Sequence, residues 1–272
     1  MTRFRTLAWA AAVCTYLLIV LGAIVRITGS GLGCGDHWPL CNGHLFPPTG
    51  DIGTVIEWSH RLVAALVSIL VVALAVVNWR RSLLAVGLLV LQIGLGAITV
   101  KLELPPWSVV LHLGTAMLLL ATLLIAATGR VGAQHAAPLL VAVLVLAFVT
   151  VLFGALTANL GAAAACGGFP LCNAQIWITA GPLAVIQWIH RLLAYSLAIV
   201  VAVWALRTPQ RGPKVVLGLV VLQIAIGAAT VLLGLPRALQ AAHVAVGAAV
   251  WAGVVLVVIK TKAPATPPGP SP

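Results

Sequence analysis

The sequence predicts an all-α integral membrane protein of eight transmembrane helices, arranged as two parallel-repeat four-helix bundles with N- and C-termini in the cytoplasm. Three observations predict it. The 272-residue chain is 62% hydrophobic and only 7% charged. Soluble domains carry about 25% charged residues, so this chain cannot cover a folded surface with side chains suited to water. Eight apolar runs follow one another, each near the roughly 20 residues needed to cross about 30 Å of hydrocarbon. The second half then restates the first at an offset of about 130 residues.

In order, the runs are 8–28, 57–78, 82–101, 107–128, 138–159, 183–206, 213–233 and 238–260. Backbone groups in lipid must be satisfied within their own segment, which makes these runs helices. The first run is too long for a signal-peptide core, lacks a small-residue cleavage site and has a counterpart in the second half, so it is read as a helix. Arg3, Arg5, Arg80, Arg81, Arg130, Arg207, Arg211, Lys214, Lys260 and Lys262 fall on one side, ten of the fifteen basic residues. The positive-inside rule makes that side cytoplasmic. Asp36, Asp51, Glu57 and Glu103, the four acidic residues, fall on the other side or at its interface.

The net charge of +11 does not point to nucleic acid. Its Lys and Arg residues form short clusters between apolar runs, without a glycine-rich phosphate loop or a basic helix interleaved with aromatics. The two longest loops, 29–56 and 160–182, are external. The tail 263–272 is proline-rich and predicted to be disordered. The expected division is an N-terminal half over 1–132 and a C-terminal half over 133–262.

The repeat is legible residue by residue. Val55-Ile56-Glu57-Trp58-Ser59-His60-Arg61-Leu62 answers Val185-Ile186-Gln187-Trp188-Ile189-His190-Arg191-Leu192. Gln92 answers Gln223, His112 answers His243, and Pro39-Leu40-Cys41-Asn42 answers Pro170-Leu171-Cys172-Asn173. With four helices in each half, both halves enter the membrane from the same side, which makes the duplication parallel rather than inverted.

Four histidines carry the chemistry. His60, His112, His190 and His243 open the second, fourth, sixth and eighth helices, about one turn in, at a common depth near the outer face. Two facing helices of a bundle can ligate one metal centre between them, and two imidazoles axial to a haem iron fit this pattern. The competing reading is hydrogen bonding between helices, which four repeat-equivalent positions disfavour. His37 and His44 sit in the first outer loop and His135 on the cytoplasmic side, as ordinary surface histidines.

Arg61 and Arg191 follow two of these histidines and could pair bidentately with haem propionates or snorkel to head groups. Glu57 marks the difference between the halves. It lies one turn before His60 on the same face, where a carboxylate can take a proton or stabilise positive charge and the amide of Gln187 can do neither. The first half therefore reads as the reactive site and the second as a cofactor site.

Cys34 and Cys41 in the first outer loop, and Cys166 and Cys172 in the other, face the oxidising side, where disulfides persist. They read as structural staples, or, for Cys34–Cys41, as a pair that exchanges electrons or thiols. Cys14 reads as an apolar packing residue. Gln92 and Gln223, followed by Gly94, Gly96 and Gly227, read first as helix packing and second as cofactor contacts.

The chain resembles the haem A synthase family, in its cysteine-containing bacterial type. The resemblance is carried by Gly29-Ser30-Gly31-Leu32-Gly33-Cys34, Trp38-Pro39-Leu40-Cys41-Asn42-Gly43, Glu57 through Arg61 and Gln187 through Arg191, and covers nearly the whole chain. It implies oxidation of a ring methyl of haem O to a formyl group, giving haem A for terminal oxidases. It further implies that His60 and His112 hold the substrate haem, that His190 and His243 ligate a haem b cofactor, that Glu57 is the catalytic carboxylate and that Cys34–Cys41 is a functional disulfide. Partners then expected are haem O, membrane lipid, a haem O synthase and an electron donor, with a homo-oligomer open and no nucleic acid. The expected location is the plasma membrane, with the haem sites toward the extracellular face. Gly35-Asp36-His37 departs from the shorter proline-containing link expected after Cys34, which bears on the loop and not on the ligands.

The rival readings are weaker. A di-haem cytochrome b taking electrons from a quinol shares the histidines but gives no role to the Glu57/Gln187 difference. A quinone-linked disulfide oxidoreductase predicts Cys-x-x-Cys, which neither cysteine pair has, and a transporter rests on the repeat alone.

Overall fold

The structure, a computed structural model, describes residues 2–129 and 138–260. Arg130, His135, Lys262, the boundary at 132/133 and the tail 263–272 lie outside the described residues. The elements are α1 (Thr2–Thr28), α2 (Ile52–Val77), α3 (Trp79–Lys101), α4 (Pro106–Thr128), α5 (Pro138–Asn159), a 3₁₀ turn Ala162–Ala165, α6 (Pro182–Arg207), α7 (Arg211–Leu232) and α8 (Arg237–Lys260). Among the described residues, eight helices are long and apolar enough to cross a membrane, and no strand is present. The protein is a multi-pass membrane protein.

Several helices begin before their apolar runs do, because polar residues start them. The Asp51 carboxylate accepts the Thr54 N–H at 2.7 Å, an N-cap that starts α2 at Ile52 rather than at 57. That hydrogen bond from the Thr54 backbone holds the Asp51 carboxyl below its usual range. Asn78 closes α2 and caps α3, its side chain accepting from Arg81 N at 3.1 Å. Arg5 extends α1 toward Thr2, and its Nε donates to the Ala127 carbonyl at the end of α4, 3.0 Å away.

Helices α1, α2, α3 and α4 pack as a closed ring, each against the next and α4 against α1. Helices α5, α6, α7 and α8 form a second ring in the same way. The rings meet through α4 on α5 and through α8 on both α1 and α4. Lipid tails are as apolar as leucine, so association in a membrane relies on close approach by small residues and on interhelical hydrogen bonds. Ala8, Ala11, Ala12, Ala127 and Ala248 are buried in the seams. Trp251 Nε1 donates to the Met117 carbonyl at 2.8 Å, and Tyr16 donates to the Ala245 carbonyl at 3.0 Å, both across the junction of the rings. Ile69, Val76, Leu84, Ile199 and Val215 are exposed on the outward faces, where lipid is their solvent.

Candidate functional site: two histidine pairs under disulfide loops

Helix α2 presents the sequence's marked stretch. Since it starts at Ile52, Glu57 lies beyond the first turn, and His60 lies eight residues in (60 − 52). By the same subtraction His112 is six residues into α4, His190 eight into α6 and His243 six into α8. The histidines therefore sit about two turns deep, roughly 9–12 Å along the axis at 1.5 Å per residue. For His60 the expectation of one turn fails because Asp51 starts α2 at Ile52, five residues (57 − 52) ahead of its apolar run. The other three helices start within one residue of theirs, and their histidines lie two turns in by count alone.

Glu57 is 3% exposed and both its oxygens are engaged. Oε2 accepts from the Cys34 backbone N–H at 2.8 Å, and Oε1 accepts from the Arg61 guanidinium, one turn on, at 2.5 Å. Arg61 also donates to the carbonyls of His37 and Leu40 at 2.7 and 2.6 Å. A guanidinium with its side chain only 15% exposed has few waters to saturate its N–H groups, and the loop carbonyls lie within reach. Arg61 thus ties α2 to the loop between α1 and α2.

The second half repeats the anchor without the acid. Arg191 is 6% exposed and donates to the carbonyls of Cys166 and Leu171, both at 2.8 Å. Gln187, buried in the Glu57 position, leaves its Oε1 without a donor. Tyr195 adds a hydrogen bond to the Pro170 carbonyl at 2.7 Å.

Disulfides close both loops. Cys34–Cys41 has Cα atoms 4.4 Å apart and Cys166–Cys172 4.8 Å. Each loop carries a matched turn, with an isolated bridge at Cys41 and His44 or at Cys172 and Gln175. Asn42 and Asn173 adopt φ of 50° and 51°, a left-handed conformation that asparagine tolerates better than most residues. Cys14 is free and packs against the main core.

The histidines pair within each ring. His190 and His243 stand with ring centroids 6.5 Å apart and planes at 79°. His60 and His112 hold the matching positions on α2 and α4. Nδ1 of all four is buried without a hydrogen-bond partner. Nε2 of His112 meets the Gln92 amide nitrogen at 3.2 Å, and Nε2 of His243 meets that of Gln223 at 3.1 Å. Any group bonded to those nitrogens displaces the amides.

The residues fit a haem iron. The 6.5 Å between the ring centroids of His190 and His243 leaves room for one metal atom between two imidazoles at a usual metal–nitrogen length of about 2.0 Å. Among the described residues no group of three or more His, Cys, Asp or Glu side chains could hold a metal ion. Two imidazoles per ring instead suit a metal that brings its remaining ligands with it, as haem iron does.

Sequence reasoning reached the histidines, the Glu57/Gln187 difference and the cysteine pairs. It missed Arg61 and Arg191 as loop anchors, the Cys34 N–H on Glu57, and the contacts of Gln92 and Gln223 with histidine as leading roles. The i, i+4 spacing of Glu57 and Arg61 was the available signal for the first.

Comparison with known proteins bears on the whole chain. The COX15-CtaA family profile, described as "Cytochrome oxidase assembly protein", matches residues 5–255. A protein named "Heme A synthase" from Geobacillus kaustophilus is 32% identical over 88% of this chain and 86% of its own length. Its namesake from Halalkalibacterium halodurans is 34% identical over 70% of this chain and 72% of its own. That from Bacillus licheniformis is 30% identical over 83% and 85%. With two histidine pairs under disulfide-closed loops, and with this likeness along nearly its full length, the chain belongs to the COX15-CtaA family of cytochrome oxidase assembly proteins.

Proposed function

We propose that the protein is a haem A synthase, an oxidoreductase that converts the ring methyl of haem O to the formyl group of haem A. The observation that carries this reading is the single acid placed on one of two otherwise matching sites. Both rings hold two imidazoles with buried Nδ1 atoms and an arginine-anchored, disulfide-closed loop, and only the first has a carboxylate, Glu57, beside that anchor. The relatives named heme A synthase support it and do not favour an electron-transfer cytochrome.

In this reading the N-terminal half, 1–132, takes the substrate haem on His60 and His112. The C-terminal half, 133–262, holds a haem b on His190 and His243. When bound, haem b supplies electron transfer. The chain's own residues do the rest. The imidazoles fix the substrate ring in the first bundle. Glu57 stabilises the positive character that develops as electrons leave the methyl, or accepts its proton, as a fixed anion does best in a site closed to water. Arg61 and Arg191 serve the two sites by holding the loops that cover them, and Cys34–Cys41 closes the loop whose N–H meets Glu57. Both termini are cytoplasmic and the sites lie toward the outer face, where haem O arrives through the bilayer from a haem O synthase.

The test is extraction and chromatography of haems from purified wild type, Glu57→Gln and His190→Ala. The reading expects haem b with haem O or haem A in wild type. It expects haem A to be missing from Glu57→Gln with haem binding kept, and haem b to be lost first from His190→Ala. Haem b alone in wild type, with added haem O left unconverted under reducing, aerobic conditions, would favour the electron-transfer cytochrome instead. Unchanged haem A in Glu57→Gln would remove the catalytic assignment.

A further inference from the structure

Each of the four histidines rests on a glycine of the preceding helix. A Cβ built on Gly22 of α1 would lie 3.1 Å from Cε1 of His60, and one on Gly96 of α3 3.2 Å from that of His112. Gly154 of α5 and Gly227 of α7 would each place it 2.9 Å from Cε1 of His190 and His243. Real Cβ atoms rarely or never come so close. Of the other helix glycines, Gly94 of α3 and Gly218 of α7 have open space where a Cβ would go, while Gly114 of α4, Gly212 of α7 and Gly247 of α8 meet a leucine, a valine and a glutamine amide rather than a ring. General helix packing by small residues does not explain why the four at the histidines alone meet an imidazole.

The backbone beneath these glycines supplies a reason. In a helix the carbonyl of residue i accepts from the N–H of residue i+4, so a side chain at i+4 shields that carbonyl from a second donor. Gln92, Thr150 and Gln223 lie four residues before Gly96, Gly154 and Gly227. Leu18 has the same relation to Gly22. The Nδ1 atoms of His60, His112, His190 and His243 lie on the glycine side of the ring, 3.7, 3.8, 3.5 and 3.4 Å from where a Cβ on the facing glycine would be. Yet no Nδ1 has a partner at full hydrogen-bond geometry, and two of the Nε2 atoms are occupied by glutamine amides.

We propose that Gly22, Gly96, Gly154 and Gly227 are positioning residues: each bares the carbonyl one turn earlier so that the imidazole Nδ1–H can donate to it, leaving Nε2 for iron. A metal-bound histidine generally donates its other ring N–H to such a partner, which fixes tautomer and ring plane. Here the helix itself provides the partner, once per histidine, and withdrawal of the Gln92 and Gln223 amides lets the rings settle onto it. This inference rests on the haem reading above.

The experiment uses the full-length, haem-loaded protein as wild type, Gly154→Ala, Gly227→Ala and the control Gly218→Ala. Alanine favours a helix over glycine, and the group a new methyl meets is the movable edge of a ring, so the variants should fold. The expected result is a changed low-spin electron-paramagnetic-resonance signal and a shifted midpoint potential in Gly154→Ala and Gly227→Ala, with haem lost to apomyoglobin about tenfold faster, the lower end of effects seen for such outer-shell partners. Gly218→Ala should match wild type in all three. Equal spectra, potentials and loss rates across the set overturn the proposal. So does a lowered unfolding midpoint of the haem-free Gly154→Ala and Gly227→Ala proteins beside wild type, since the glycines would then serve the fold. A wild type that takes up no haem at all overturns the proposed function, and this inference with it.

Discussion

At the scale of single residues, Arg61 is where the first half concentrates its polar interactions. It joins α2 to two carbonyls of the loop between α1 and α2 and to Glu57. Removing one partner of a buried pair leaves a charge without compensation, at a cost of about 3 kcal/mol or more. Arg61→Leu should therefore free the loop, raising the rate at which a thiol reduces Cys34–Cys41 by up to about a hundredfold, at 1.4 kcal/mol per factor of ten. Cys166–Cys172 is the internal control, and equal rates in the variant and wild type would refute the anchoring role. Glu57→Gln should be far milder for the fold. Arg61 would keep its loop carbonyls, as Arg191 keeps those of Cys166 and Leu171 opposite the neutral Gln187. We expect a loss of about 2 kcal/mol at most, the scale of one charged hydrogen bond, read as a small fall in thermal midpoint. A variant that fails to fold would contradict that.

Among the elements, the number and order of helices were legible because membrane spans write themselves as long apolar runs. Their starts were not, because hydropathy overlooks the polar residue that begins a helix. Asp51 is the instructive case: it reads as loop, yet it moves the start of α2 back to Ile52 and so drives Glu57 and His60 deeper. The candidate site shows the same division. His60, His112, His190 and His243 were readable from repeat spacing alone. The partners of Arg61 and Arg191 were not, since they are main-chain carbonyls of loops 20 to 25 residues away, which no side-chain pattern records. Asp51→Ala should fray the first turn of α2, seen as faster amide exchange at Thr54 and Val55, while Asp51→Asn keeps the cap. Because the folded-state pKa of Asp51 is lowered, its contribution is present above the ordinary carboxylate range and is lost as pH falls through the folded value. The exchange difference between wild type and Asp51→Ala should close at acidic pH.

For the whole molecule, the junction of the two rings is held by few polar contacts. Trp251 of α8 supplies one of them, fully buried against Met117 of α4 and beside Phe148 of α5, with ring centroids 5.5 Å apart. Trp251→Phe keeps most of the ring and deletes the N–H, so it should cost about 1 kcal/mol and lower the thermal midpoint in detergent without altering either histidine pair. An unchanged midpoint would show that packing alone joins the rings. The unequal arginines have a consequence for how the protein is made. A nascent chain is handed to lipid helix by helix. Helix α2 arrives with its cation and anion one turn apart, already neutralised. Helix α6, the least apolar of the eight spans, arrives with a guanidinium and no acid, and its partners are carbonyls of the loop delivered just ahead of it. In lipid without that loop, Arg191 would be a cation with nothing to compensate it. The second disulfide loop thus carries alone the compensation of a membrane cation that the first loop shares with Glu57.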